Sequence, residues 1–332
     1  MNEKALQILE QYEMKLIRSF GGRGAIMLET DQGLKLLKEF AGSKTKLPYE
    51  QQLLEKLEKE GICQVDRVIA NLEGEWISAG EYDTCWIMKN WPTGKECDTH
   101  SEEDLLKSMQ VLARIHGAAR GVWNLKGEMG ERLLGNDRRA ELKKHNRELK
   151  RVQNFIRSKR RKGSFELLFL KYAEEILEEG QYALRQLESS GYEELWRKAM
   201  EEGHICHGEY IHHNIFMGRQ EMAVVNFGRC EINVQVNDLC LFVRKIMEKQ
   251  RWNEGLAGRM LEAYERERPL SGEERKYLAN CLSYPEKVWK LAHHYMNANK
   301  AWIPEKSTEK LEVFLEQEGE RKRMLRGVLG VG

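Results

Sequence analysis

Between two long helical stretches of this 332-residue chain lies one short polar run, His207-Gly208-Glu209-Tyr210-Ile211-His212-His213-Asn214-Ile215-Phe216. A hairpin pattern follows at once. Ile215 to Met217 and Met222 to Val225 read as strands, with Gly218-Arg219-Gln220 as the turn. Hairpin geometry brings Asn214, at its start, and Asn226, just past its finish, to the same end. Glu209 lies a few residues upstream. A carboxylate beside two side-chain oxygens suits phosphoryl transfer: the carboxylate orients an acceptor hydroxyl, and the oxygens hold the magnesium that bridges nucleotide phosphates.

The N-terminal third has a different texture. Residues 3–18 place Ala5, Leu6, Leu9, Tyr12, Leu16 and Ile17 at helical spacing, which predicts a helix. Ala25 to Thr30 and Leu34 to Phe40 read as strands joined by the turn Asp31-Gln32-Gly33. Alternation puts Lys38 on the same strand face as Leu34, Leu36 and Phe40, a local conflict that marks it as marginal or wanted there. A helix is expected from Tyr49 to Glu60, stopped by Gly61. Strands are expected at Trp76 to Ala79 and Cys85 to Trp91. Beyond Pro92 the chain turns helical, with Ser101 and the acidic residues after it suited to a helix start.

Composition narrows the class. Fifty-four basic against 53 acidic residues leave a formal net charge of +1. That balance argues against a dedicated nucleic-acid or polybasic membrane protein. The basic run Arg157 to Lys162 lacks interleaved aromatic residues and reads as a solvated helix end. Seven scattered cysteines without a C-x-x-C pair fit reduced thiols in a cytosol. The N-terminus has no signal-peptide pattern, and no run of 18 apolar residues exists.

The loop at 207–216 resembles the H-G-D-x-x-x-x-N catalytic loop of the aminoglycoside phosphotransferase and choline kinase group. Val224-Val225-Asn226-Phe227-Gly228 resembles the metal-binding I-D-F strand that follows it. Within that group the chain is similar to the CotS family of spore coat proteins. The similarity also runs through Asp31 to Lys38, Gly94 to Asp98, Leu112 to His116, Asn237-Asp238-Leu239 and Tyr284 to Ala292. It implies an α+β, protein-kinase-like bilobal fold: a mixed N-lobe at 1–90, a hinge near Asn90 to Lys95, and a mainly helical C-lobe at 91–332 that carries the 207–228 loop. It implies a nucleotide cleft with ATP and magnesium as cofactors if the protein is active, spore coat proteins as partners, synthesis in the cytoplasm, and a place in the coat if the organism sporulates. Neither nucleic acid nor membrane is expected as a partner.

By the same resemblance, Lys38 matches the strand lysine that contacts nucleotide phosphates and Glu50 the helix glutamate that pairs with it. Asn214 matches a magnesium ligand, and Asp238 a buried aspartate that braces the catalytic loop. Two positions depart from the family pattern. Glu209 replaces the catalytic aspartate, and its extra methylene shifts the carboxylate by about 1 Å, a displacement that can cost about 100-fold in rate. Asn226 replaces the metal-binding aspartate and removes a negative charge from a site that usually rests on one or two carboxylates. The expectation is a catalytically degenerate kinase fold acting through protein contacts. The alternative is an active ATP- and magnesium-dependent phosphotransferase on a hydroxyl-bearing small molecule.

The run Phe20-Gly21-Gly22-Arg23-Gly24-Ala25 reads equally as a turn or as a phosphate-covering loop, with Gly22 and Gly24 as the backbone contacts. His207, His212 and His213 fit no common zinc spacing. His207 is expected to anchor the catalytic loop, and His212 and His213 to be exposed.

Overall fold

The computed structural model describes residues 3–22, 24–123, 130, 132–219, 221–297 and 305–330. Arg23, Gln220 and Trp302 lie outside them. The chain divides into two compact units, residues 1–133 with 207–231, and residues 134–206 with 232–332. The 207–228 segment, which the sequence groups with the helical part, packs in the first unit.

The first unit opens with helix α1, Glu3–Leu9, and then strands β1, Leu16–Gly22, β2, Ala25–Thr30, and β3, Gly33–Glu39. The expected helix over 3–18 therefore stops at Leu9. Leu16 and its successors are drawn into an edge strand that pairs antiparallel with β2, Leu16 against Thr30. Gly24, at φ 75°, closes the β1–β2 hairpin opposite the pair Gly22 and Ala25. Gly33, at φ 92°, turns β2 into β3.

Helix α2, Leu47–Lys59, follows β3, with Pro48 in its first turn where a missing N–H costs nothing. Gly61, at φ 64°, ends it, and Ile62 N–H reaches back to Leu57 O at 3.0 Å. Short strands β4, Gln64–Val65, and β5, Val68–Ile69, come next, then β6, Ser78–Ala79, β7, Cys85–Asn90, and β8, Lys95–Glu96. The main sheet runs β1-β2-β3-β7-β5, with β6 on β7. Helix α3, Glu102–Ala118, is capped by Ser101, whose Oγ accepts from Asp104 N.

Alternation sorts the main sheet. Leu28, Leu37 and Met88 bury one face against Ile8, Leu9 and Tyr12. The other face carries Leu36, Lys38, Ile87 and Lys89, since Leu36 lies opposite Lys89 and Lys38 opposite Ile87 across β3 and β7. Helix α2 leans on this second face through Leu47, which clusters with Val68 and Ile87. Gln51 Oε1 accepts Val68 N–H at 2.9 Å and pins the helix to β5.

A second sheet holds the hairpin. Ile215–Met217 and Met222–Val224 pair antiparallel, β8 flanks the first strand, and β4 runs parallel to the second, Val65 beside Val224. That parallel pairing delivers Asp66, the residue after β4, to the end of the hairpin where Asn226 stands.

The second unit is helical. Arg138–Ser158, Ser164–Ser189, Glu286–Asn297 and Glu305–Glu316 pack around Leu149, Phe165, Phe169, Val288 and Leu311. The Tyr284 to Ala292 stretch forms the wall of that core. Glu286 is buried there, with Arg138 at 2.8 Å and Arg244 at 3.7 Å. These guanidinium groups offset burial and hold its carboxyl well below the usual range. Asp238 is buried in the first turn of the helix Val236–Met247. His293 and His294 point to the surface, where His293 meets Glu148 at 3.1 Å.

Candidate functional site

The loop before the hairpin is held from several sides. His207 is 1% exposed, and its Nε2–H donates to Val225 O at 3.1 Å. That bond fixes the tautomer, so Nδ1 accepts Glu209 N–H, also at 3.1 Å. The ring packs on Phe227. Gly208, at φ 79°, passes so close to the backbone that a Cβ there would overlap Arg229 O. Tyr210, fully buried, donates its hydroxyl to Ser108 O of α3 at 2.7 Å. The anchoring expected of His207 is thus present. His212 is buried rather than exposed, while His213 reaches Glu96 at 2.7 Å on the surface.

The expected metal ligands meet. Asn226 sits in the left-handed region at φ 67°, a conformation that asparagine tolerates better than most residues. Asn214 Nδ2 donates to Glu209 O at 2.9 Å, which turns its Oδ1 towards Asn226. Asn226 Nδ2 donates to that oxygen, again at 2.9 Å. An acceptor faces a donor here. As placed, the two amides bind each other, and neither brings the negative charge that magnesium prefers in its ligands. Glu209, which the resemblance matches to a catalytic aspartate, is half-buried, with its carboxylate 3.6 Å from Arg229 Nε.

The expected Lys38–Glu50 pair is replaced by another. Glu50 Oε1 lies 2.8 Å from Nζ of Lys89, and the same ammonium lies 2.9 Å from Asp66 Oδ2. Asp66 Oδ2 also accepts Asn226 N–H at 3.1 Å. The reason is register. Lys38 and Lys89 share one face of β3 and β7, and Lys89 projects where α2 and the β4–β5 connection close over it. Exposures of 2% for Lys89 and 0% for Asp66 put this ion triad out of solvent. Burial alone would lower Lys89, but Asp66 and Glu50 outweigh it and hold the ammonium above the ordinary lysine range. Lys38 is half-buried, and burial followed by repulsion from Lys89 pushes it down, against the pull of Asp66 and Glu50. It forms no ion pair among the described residues.

Sequence reasoning missed Lys89 and Asp66. Lys89 carried the signal that marked Lys38, a lysine inside an apolar strand. Asp66 stands alone between Val65 and Val68 with only Arg67 for polar company.

A mixed sheet with one helix after its third strand, and a catalytic-type loop feeding a hairpin, define a protein-kinase-like phosphotransferase fold. The fold is similar to that of the aminoglycoside phosphotransferase from Alicyclobacillus acidocaldarius, at TM-score 0.85 and 16% identity over 97% of this chain and 94% of that one. It is also similar to spectinomycin phosphotransferase in its AMP-bound complex, at TM-score 0.68 and 11% identity over 97% of each chain. The chain belongs to the family of the spore coat putative kinase YutH, whose model matches residues 5–328. Spore coat protein S of Bacillus subtilis (strain 168) is 24% identical over 311 residues, 92% of this chain and 86% of that protein.

Proposed function

We propose that this chain is a spore coat protein that keeps the phosphotransferase fold but has lost magnesium-dependent phosphoryl transfer, and that it works in the coat through contacts with other coat proteins. The observation that carries the reading is the hydrogen bond from the Asn226 side-chain amide to Asn214 Oδ1, which stands where two ligand oxygens would face a cation. Glu209 in place of the shorter aspartate points the same way. Lys38 is retained on the sheet face beside Glu50 and Asp66, which supports a nucleotide cleft outlasting the chemistry. Coat membership of the relatives supports synthesis in the cytoplasm followed by incorporation into the coat.

The test is turnover. Purified protein with millimolar Mg-ATP is expected to release no ADP above the blank, with or without a panel of hydroxyl-bearing acceptors. Release that disappears in Glu209→Gln would instead establish the rival reading, an active phosphotransferase with Glu209 as its base. Glu209 keeps its carboxylate partly open to solvent, as a base in that rival would have to be, and Asn214 and Asn226 would supply its weakened magnesium site.

A further inference from the structure

Lys89 has no place in that reading so far. The residue is 2% exposed, so its ammonium touches no ligand. It is wired, however, to the candidate site. Through Asp66 it is one hydrogen bond removed from the backbone N–H of Asn226, and through Glu50 it holds the glutamate that the resemblance assigns to Lys38. Two ammonium groups, Lys38 and Lys89, thus share the sheet face on which Lys89 meets two carboxylates, Glu50 and Asp66, while residue 226 is neutral. The group is balanced without a divalent ion. Remove Lys89 and two buried carboxylates remain with one ammonium, each carboxylate within 2.9 Å of the vacated point. That is a setting which demands another cation.

We propose that Lys89 is a positioning residue whose buried ammonium takes over the charge-balancing and bracing task of a metal ion, so that the site accepts a nucleoside phosphate at Lys38 without any divalent cation. The proposal rests on the degenerate-site reading above and deepens it. Glu50, committed to Lys89, leaves the Lys38 ammonium for phosphate oxygens. Asp66, committed to Lys89 and to Asn226 N–H, keeps the hairpin end in place with no ion to gather it.

The experiment is an ADP titration of the full chain by calorimetry, in EDTA and again in millimolar magnesium. The ratio of the two dissociation constants is the readout. The native protein and Lys89→Arg are expected to give a ratio within about twofold of one. Lys89→Met should bind at least about tenfold more weakly in EDTA and regain much of that loss with magnesium. A merely structural lysine would weaken binding equally in both buffers, and that result for Lys89→Met overturns the proposal. Native protein that binds ADP in neither buffer overturns it too, while leaving the degenerate-site reading intact. Native binding at least about tenfold tighter with magnesium sinks both. A native ratio far from one overturns the proposal even if Lys89→Met fails to fold.

Discussion

Asn226 donates its side-chain amide to Oδ1 of Asn214 at 2.9 Å, and the bond exists only while residue 226 carries an N–H. Asn226→Asp sets a carboxylate against that oxygen. The variant is expected to be less stable than the native chain by about 1–3 kcal/mol in EDTA, because an acceptor then faces an acceptor. Magnesium should reverse the deficit, since the same change supplies the missing charged ligand. Melting curves with and without magnesium check this. The native curve should not move, and the variant's should. Adding Glu209→Asp restores the shorter base, and only this double variant is expected to hydrolyse ATP. A magnesium-blind Asn226→Asp that is folded would mean that residue 226 does not face a cation position.

Lys38 and Lys89 lie on one sheet face yet should behave oppositely under truncation. Lys89→Met strands two buried carboxylates, and breaking a buried pair of this kind costs about 3–5 kcal/mol. Lys38→Met removes a half-buried ammonium that already sits below its ordinary range, so it should change stability by no more than about 1 kcal/mol. Urea midpoints of the two variants give the comparison. Equal losses would mean that Glu50 divides itself between both lysines in solution.

Much of this frame was legible in the sequence, and the failures have physical causes. Strands β2, β3 and β7, helix α2 with its Gly61 stop, and the hairpin all fall within a few residues of where alternation, helical spacing and glycine put them. β1 was hidden because an edge strand with exposed Ile17, Arg18 and Phe20 shows no period of two, while Leu16 and Ile17 happen to continue the helical spacing of α1. β4 and β5 are two residues long, too short for any period. In the site, residue types were readable but partners were not. Glu50 had two lysines within reach on one sheet face, and which of them it holds depends on how α2 and Asp66 close over β7. That is tertiary geometry, which no local pattern encodes.

Gly208 offers a test of the catalytic-type loop that does not touch a titratable group. Its φ of 79° is strained for any other residue, and a Cβ would overlap Arg229 O. Gly208→Ala is expected to lower stability by about 2–4 kcal/mol, since both the backbone and its neighbour must shift. Gly258, on an open helix surface with nothing near its Cβ position, is the control, where alanine should be neutral or stabilise by up to about 1 kcal/mol. A Gly208→Ala variant that melts with the native protein would show that the loop does not hold this close approach.

The second unit carries a pH dependence of its own. His145 stacks on Trp289 with ring centroids 3.4 Å apart, and its Nδ1 has no hydrogen-bond partner among the described residues. Burial, with Arg138 adding to it and Glu286 and Glu148 opposing, lowers its pKa from 6.5 to about 4. The folded state thus keeps the ring neutral where the unfolded chain would protonate it. Between those two values the unfolded state binds more protons, so stability is complete above pH 6.5 and falls as the pH drops towards 4. Screening by solvent reduces the effect to roughly 1–2 kcal/mol. His145→Phe keeps an aromatic ring against Trp289 and removes the titration. Urea midpoints measured from pH 7 down to about pH 5, above the range where the carboxylates begin to protonate, should slope downward for the native protein and lie flatter for the variant. Parallel slopes would mean that His145 takes up its proton in the fold as readily as in the unfolded chain, with Glu286 and Glu148 offsetting its burial.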